Sequence, residues 1–344
     1  MKTHWLFTLA ILLCCHISTA QKVKDYFYAE RDTKELPVLV RGDLAKKTIL
    51  LFVQGGPGEA AIDFGRSDYP RWKKTLEKEV AIAYYDQRGL NRKVKKIDSA
   101  KINYDQYSRD LILIAKKLKE KYNARIFLMG HSYGGGYVYH CLAQHRETDQ
   151  LIEGGIILNS PLTSDYTPIR YAYYRPLYLK NLASEFVNKG IEKEKWQEAY
   201  DWIQEIDSIT TRKQVIRWNT YVNSAFEPTE RKATIGMAFR VVFSRPYNNP
   251  FKYLNFKDND VVSDLIRADQ KKGIDFFSLL PKIENRVLVL SGRFDDIAIP
   301  EEMQKAHELL NNSVLKILPE AGHQSFLDQP ELFNQAILEF ALNH

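Results

Sequence analysis

The sequence predicts an α/β domain with a mainly parallel sheet and a mostly helical insertion. Short apolar runs rich in β-branched and aromatic residues alternate with helical patterns over most of the chain, as units of strand, helix and parallel strand require. The alternation stops over residues 161–283 and then resumes. We therefore expect a sheet domain made of residues 21–160 and 284–344, with a helical cap inserted between the two parts.

Residues 1–20 have the composition of an export signal. Lys2 precedes an apolar run over residues 5–17, and the segment closes on the small residues of a cleavage site, ending at Ala20. We expect cleavage before Gln21 and a secreted or periplasmic protein with no membrane span after signal removal. The apolar run is short for a transmembrane helix, and an uncleaved anchor is the alternative.

Charge and cysteine content argue against a nucleic-acid-binding protein and against a protein stabilised by disulfides. Removing Lys2 from the 49 basic residues leaves 48 against 43 acidic ones, and this scattered excess does not indicate a nucleic-acid partner. Cys14 and Cys15 lie in the signal, so Cys141 is the single thiol left and no intramolecular disulfide can form. Stability must come from the core, and the oligomeric state stays open.

Eight segments have the composition of strands, and the clearest helical pattern lies between two of them. Leu111, Ile114, Ala115 and Leu118 repeat with helical spacing within residues 107–122, while the lysines of this stretch face away. The predicted strands cover residues 26–29, 37–40, 48–53, 80–84, 125–129, 155–158, 286–290 and 314–318.

The insertion is rich in aromatic residues, which has two interpretations. A small helical subdomain needs large side chains to build a core of its own. An insertion at this point of a sheet also lies over the carboxyl ends of the strands, where ligands bind, so some of the rings are candidates for the roof of a pocket.

Residues 130–134 read Gly-His-Ser-Tyr-Gly and lie between a predicted strand and a helical stretch over 135–144. In that context a G-x-S-x-G pentapeptide predicts a nucleophile elbow, in which Ser132 is held on a tight turn that needs glycine neighbours. A serine hydroxyl is a weak nucleophile. It needs an imidazole to take its proton and a carboxylate to orient that imidazole.

Both partners follow in the chain. Asp295 and Asp296 come after the strand at 286–290, and His323 lies on a loop after the strand at 314–318. The order Ser, Asp, His is typical of α/β hydrolases. We assign the catalytic roles to Ser132, Asp295 and His323. Asp295 is preferred because it completes a Gly-Arg-x-Asp motif, with Asp296 as the alternative.

Two glycine-containing loops follow other strands. Residues 54–58 (Gln-Gly-Gly-Pro-Gly) offer backbone N–H groups for a tetrahedral oxyanion, and we expect the donors to be the amides of Gly56 and Tyr133, with Gly55 as the alternative to Gly56. The G-x-x-x-x-G-K-[ST] pattern of a phosphate loop is absent. Residues 86–89 (Asp-Gln-Arg-Gly) are expected to be structural, with the arginine paired to acids.

Together, the motifs at 54–58, 86–89, 130–135, 292–295 and 322–323 resemble the proline iminopeptidase (prolyl aminopeptidase) branch of the α/β-hydrolase fold. The resemblance implies a capped serine peptidase that releases an N-terminal residue, often proline, from a short peptide or other small substrate. It implies no metal and no cofactor. Relatives with related signatures hydrolyse esters and lactones, so a carboxylesterase or lactonase is the alternative.

Two positions depart from that branch. Gln54 stands where the branch has histidine, and Val222 stands where it has an amine-binding glutamate, in the nearest match to Trp-x-x-Trp-Glu. A cationic amine buried without a counter-charge would be costly, so either another acid of the cap replaces the glutamate or the substrate has no free amine. The candidate substrate-binding residues of the cap are Glu205, Trp218 and Tyr221, with Glu227 and Glu230 as further acids.

Overall fold

A single eight-stranded sheet organises the chain. The computed structural model describes residues 21–30, 32–90, 97–164, 167–229 and 257–343. The strands are β1 (Lys22–Glu30), β2 (Glu35–Asp43), β3 (Thr48–Val53), β4 (Ala81–Tyr85), β5 (Arg125–His131), β6 (Gly154–Leu158), β7 (Val287–Gly292) and β8 (Ser313–Leu318). Their order is β1-β2-β4-β3-β5-β6-β7-β8. All eight predicted strands are confirmed, and the sheet is mainly parallel because only the two pairs made by β2 are antiparallel.

Helices flank this sheet and fill the stretch between β6 and β7. The α-helices of the described residues are α1 (Ala61–Ser67), α2 (Tyr104–Tyr122), α3 (Tyr133–Gln144), α4 (Thr148–Leu151), α5 (Arg175–Lys189), α6 (Lys193–Gln204), α7 (Arg212–Ala225), α8 (Lys257–Gln270), α9 (Phe276–Leu279), α10 (Pro300–Leu309), α11 (Ser325–Asp328) and α12 (Pro330–Leu342). Single 3₁₀ turns occur at Trp72–Lys74, Leu76–Lys78, Ser99–Lys101 and Leu280–Lys282, and a π-helical turn occurs at Arg170–Tyr174.

The helix predicted over residues 107–122 is confirmed as α2, which begins one turn earlier than its apolar pattern. Asn103 caps it, because its side-chain oxygen accepts a hydrogen bond from the amide of Gln106 at 2.8 Å. The helix ends at Asn123, which adopts the left-handed conformation with φ 47°. A polar residue just before the apolar stripe thus determines where the helix begins.

The central strands are buried on both faces, as helices on both sides of a parallel sheet require. In β3, Ile49 and Leu51 belong to the core on one face, whereas Leu50 and Phe52 belong to the core on the other. Successive side chains of a strand point to opposite faces, so a continuous apolar run supplies both cores. The first core includes side chains of α2 and α3, and the second includes side chains of α12.

Between β6 and β7 the described residues form helices and loops, with no strand among them. A third core lies here and is built around Tyr178, Trp196, Trp202 and Trp218. Ile299, just before α10, belongs to the same cluster. This third core therefore packs against the loop that follows β7.

Residues 1–20, which carry the predicted export signal, lie outside the described residues. In the part of the chain that the structure describes, no helix is both long enough and apolar enough to cross a membrane.

Candidate active site

Ser132 lies at the sharp turn between β5 and α3. Its backbone has φ 53° and ψ −127°, a region that costs a non-glycine residue roughly 1–3 kcal/mol. Hydrogen bonds on both sides hold it there, because the Ser132 amide donates to the carbonyl of Leu158 at 2.9 Å and its carbonyl accepts from the Gly135 amide at 3.0 Å. The turn presents the hydroxyl at the carboxyl end of the central strand.

The glycines of the pentapeptide allow this turn to pack tightly. A Cβ at Gly134 would lie 2.2 Å from the carbonyl oxygen of Val53, and a Cβ at Gly130 would lie 2.5 Å from the carbonyl oxygen of Gly134. Real Cβ atoms do not approach backbone so closely, so both positions require glycine.

A hydrogen-bonded chain joins Ser132 to His323 and Asp295. The Ser132 Oγ lies 2.9 Å from the His323 Nε2. The other ring nitrogen, Nδ1, lies 3.0 and 3.1 Å from the two carboxylate oxygens of Asp295. With Nδ1 protonated and donating to Asp295, Nε2 is left to accept the proton of the serine hydroxyl.

Asp295, and not Asp296, contacts the imidazole. Asp295 is fully buried, and its Oδ1 accepts hydrogen bonds from the amides of Ile297 at 2.9 Å and Ala298 at 2.8 Å. Its Oδ2 accepts from the side chain of Asn159 at 2.8 Å. Asn159 was not singled out from the sequence, although a polar residue directly after the β6 strand is a recognisable signal for this edge of the sheet.

The loop that carries His323 is anchored from two sides. Burial, and then the nearby His323 ring, lower the pKa of His131 to about 3, so His131 is neutral and its Nε2 donates to the His323 carbonyl at 3.2 Å. The Gly322 amide donates to Asp328 at 2.9 Å. These contacts fix the backbone on either side of the imidazole.

The glycine-proline loop packs directly on the serine turn. A Cβ at Gly55 would lie 2.9 Å from the Cβ of Ser132 and 3.1 Å from the amide nitrogen of Tyr133. Gly56 lines the same cavity as Ser132 and Tyr133. Gln54, the departure from the family pattern, donates through its side chain to Glu59 at 3.0 Å. The residues of the two predicted oxyanion donors thus line the same cavity.

Residues 86–89 hold the surrounding structure in place. Arg88 forks onto Asp110, with contacts of 2.9 and 2.7 Å, and also bonds Glu30 at 2.7 Å. The expected pairing of this arginine with acids is therefore confirmed. Gln87 donates to the carbonyl of Gln54 at 2.7 Å, which ties this segment to the glycine-proline loop.

A cavity of about 180 Å³ opens at Ser132. Its described lining contains no aspartate or glutamate, whereas two arginines are present, Arg170 and Arg267. Ser160, which directly follows Asn159, also lines it. Neither Ser160 nor Arg267 belongs to a recognisable motif, so no local pattern points to either residue. In the part of the chain that the structure describes, no group of three His, Cys, Asp or Glu side chains is placed to hold a metal ion.

The structure does not bring the three cap residues proposed from the sequence into the described lining of this cavity. Trp218 is buried in the third core and donates to the carbonyl of Arg175 at 3.0 Å. Tyr221 lies in the same core and donates to Glu198 at 2.9 Å. Glu205 is exposed just after α6.

The described lining of the cavity also lacks the other cap positions considered for binding an amine. Val222 is buried in the third core, and Glu227 is exposed and absent from the described lining. Glu230 lies outside the described residues. Trp218, Tyr221 and Val222 are absent from the described lining because this face of α7 packs into the core of the insertion.

The fold and this geometry define the class of protein. A profile of the alpha/beta hydrolase fold family matches residues 48–330. The match covers most of the chain, which therefore belongs to this family. The fold predicted from the sequence is confirmed.

Within the family, the chain is similar to aminopeptidases among other hydrolases. The "Probable aminopeptidase YbaC" of Bacillus subtilis (strain 168) is 23% identical over 325 residues, which cover 91% of this chain and 94% of the relative. The proline iminopeptidase of Mycobacterium smegmatis has a TM-score of 0.57 at 14% identity, with 93% of this chain and 97% of that chain covered. A serine hydrolase involved in carbazole degradation, the CarC enzyme, has a TM-score of 0.58 at 16% identity, with 93% and 98% covered. The predicted resemblance to proline iminopeptidases is confirmed.

Proposed function

We propose that this protein is a serine hydrolase that cleaves an acyl bond through a covalent acyl-enzyme. Ser132 is the nucleophile, His323 the general base and acid, and Asp295 the orienting carboxylate. The observation that carries the proposal is the chain of contacts at 2.9 Å from Ser132 to His323 and 3.0 Å from His323 to Asp295. Such a chain converts a weak hydroxyl into a nucleophile.

The reaction runs in two halves. The Ser132 oxygen attacks the carbonyl carbon while its proton passes to Nε2 of His323. The tetrahedral intermediate then collapses as His323 returns that proton to the leaving oxygen or nitrogen. In the second half, water attacks the acyl-enzyme and gives a proton to His323, and His323 passes that proton to the Ser132 oxygen as the acid is released. Asp295 orients the imidazole and stabilises the imidazolium in both halves.

The amides of Gly56 and Tyr133 stabilise the oxyanion in this proposal. Tyr133 begins α3, so its N–H belongs to the positive end of a twelve-residue helix. Gly56 lies on the loop that packs against the Ser132 turn. Preorganised donors of this kind contribute about 3–4 kcal/mol each to the lowering of a barrier.

For the substrate, a small ester or lactone fits the described cavity better than the free N-terminus of a peptide. An ammonium group buried without a counter-charge is costly, and the described lining offers it no carboxylate. The second candidate is release of small N-terminal residues such as proline. It is supported by the relative named as an aminopeptidase and by the likeness to a proline iminopeptidase.

A fluorophosphonate probe tests the proposed chemistry, because it labels a serine that is activated and adjoins an oxyanion hole. We expect stoichiometric labelling of the wild type, none of Ser132→Ala and a large decrease for His323→Ala. Labelling of Ser132→Ala at the wild-type rate would refute the assignment.

Paired substrates separate the two substrate classes. If esters are the substrates, simple aryl esters are cleaved faster than prolyl arylamides, and N-acetylation of the arylamide leaves its kcat/KM unchanged or higher. If the protein is an aminopeptidase, N-acetylation costs roughly one to two decades of kcat/KM, the range for losing a hydrogen bond to a charged group.

A further inference from the structure

The two arginines of the cavity differ in what they already bind. Arg170 is buried, and its guanidinium donates to Glu302 at 3.1 Å and to the carbonyl of Ile297 at 2.8 Å. Arg267 is exposed, and its side chain makes no ion pair or hydrogen bond with the residues that the structure describes. The guanidinium of Arg170 thus stabilises the fold, whereas that of Arg267 is available to a ligand.

Arg267 is held at the cavity by its own helix. Ser263, Arg267 and Gln270 share one face of α8, since residues three and four apart are neighbours on a helix. Ser263 donates to the carbonyl of Pro57 at 2.5 Å, next to Gly56. Gln270 accepts from the hydroxyl of Tyr133 at 2.7 Å. Both neighbours of Arg267 are therefore fastened to the two predicted oxyanion segments, which holds this face of α8 at the cavity that Arg267 and Ser132 both line.

Ser160 is an independent sign of a ligand in the same cavity. Its hydroxyl is fully buried, lines the cavity and has no hydrogen-bond partner among the described residues. The residue packs directly against α3, since a Cβ added at Gly135 would lie 2.4 Å from its Oγ. A buried hydroxyl is seldom left unpaired, so a polar atom of a bound molecule is its expected partner.

We propose that the substrate of this site carries a carboxylate that Arg267 binds, in addition to the acyl group that Ser132 attacks. A planar guanidinium matches a carboxylate with two parallel hydrogen bonds, and the described lining contains no acid that would repel one. The hydroxyl of Ser160 donates to an uncharged oxygen of the same substrate. The inference rests on the proposed serine hydrolase function and names its substrate class.

Matched aryl esters test the proposal and locate the carboxylate. Mono-4-nitrophenyl glutarate carries it on the acyl side and is compared with 4-nitrophenyl butyrate. 3-Acetoxybenzoate carries it on the leaving group and is compared with phenyl acetate. We expect kcat/KM of the wild type to favour the anionic member of one pair by about 10-fold, and Arg267→Gln to remove that preference by lowering kcat/KM for the anionic ester far more than for its neutral partner. Arg267→Lys should restore part of it.

Arg212→Gln is the matched control, because Arg212 is an exposed arginine at the start of α7 outside the described lining. It should keep the full preference. The inference is overturned if the wild type prefers neither anionic ester, or if Arg267→Gln and Arg212→Gln lose the preference equally. In either case, hydrolysis of the neutral esters would leave the proposed serine hydrolase function intact. Absence of both ester hydrolysis and fluorophosphonate labelling overturns the two together.

Discussion

The carboxylate of Asp295 is saturated with hydrogen bonds in a place that water does not reach. Two backbone amides, the Asn159 side chain and the His323 ring all donate to it. Because the residue is fully buried, these donors hold the carboxyl group in one orientation and define the direction in which it meets the imidazole. The next residue, Asp296, is partly exposed.

Replacing Asp295 with asparagine is expected to lower kcat by about 10⁴, because the amide no longer holds His323 in the tautomer that accepts the serine proton. The matched control is Asp296→Asn, which should change kcat far less. Steady-state kinetics on an aryl ester measures both. The reverse order of effects would assign the role to Asp296.

His131 gives the folded state a pH dependence of defined sign. Its folded pKa of about 3 lies below the ordinary value near 6.5, so the unfolded chain takes up a proton first as the pH falls. The resulting stability is complete above pH 6.5 and is lost progressively as the pH falls towards 3.

The test compares the wild type with His131→Gln, whose amide can still donate to the His323 carbonyl. Between pH 7 and pH 5 the free energy of unfolding of the wild type should fall by about 2 kcal/mol more than that of the variant, at 1.36 kcal/mol per pKa unit. Urea denaturation at the two pH values measures this. Equal decreases would show that His131 is not held neutral.

At the scale of elements, Glu302 joins the start of the insertion to α10. It is fully buried and accepts from the amides of Leu162 at 2.8 Å and Thr163 at 2.9 Å, and from Arg170 at 3.1 Å. Burial raises the pKa of this carboxyl. Thr163 and Arg170 also line the cavity, so one side chain supports both the junction and the site.

Glu302→Ala is expected to destabilise the protein by about 3–5 kcal/mol, because it removes a buried carboxylate that accepts hydrogen bonds from Arg170 and from two buried backbone amides. Glu308→Ala on the same helix is the control. Glu308 is exposed and contacts Lys305 at 3.2 Å, so its loss should cost no more than about 0.5 kcal/mol. Chemical denaturation measures both, and similar costs would contradict the role given to Glu302.

For the whole molecule, we propose export with cleavage after Ala20. β1 begins at Lys22, and the backbone nitrogen of Gln21 donates to Asp43 at 3.1 Å, so a chain that begins at Gln21 retains the complete first strand. Expression in a secreting bacterial host should yield a mature protein that starts at Gln21. Intact-mass measurement decides this, and a membrane-bound protein that retains Met1 would mean that residues 5–17 act as an anchor.

Much of the fold can be predicted from the sequence because its determinants are local. Strand geometry accounts for the apolar runs, and helix geometry accounts for the apolar stripe of α2. The tight turn at Ser132 accounts for the glycines around it. The predicted partners of Ser132 could also be located, since polar residues that follow parallel strands gather at one edge of a sheet.

The sequence by itself therefore determined the sheet, the elbow and the loops that meet at Ser132. Only the tertiary structure shows that Asp295 hydrogen-bonds to His323, since adjacent side chains on a loop point in directions that spacing does not specify. It also decided the lining of the cavity. Tryptophans and tyrosines of an insertion serve equally as core or as pocket wall, and packing put Trp218 and Tyr221 in the core. Ser160 and Arg267 came to the cavity through contacts between segments far apart in the chain. Such contacts depend on how whole elements pack, which no local pattern records.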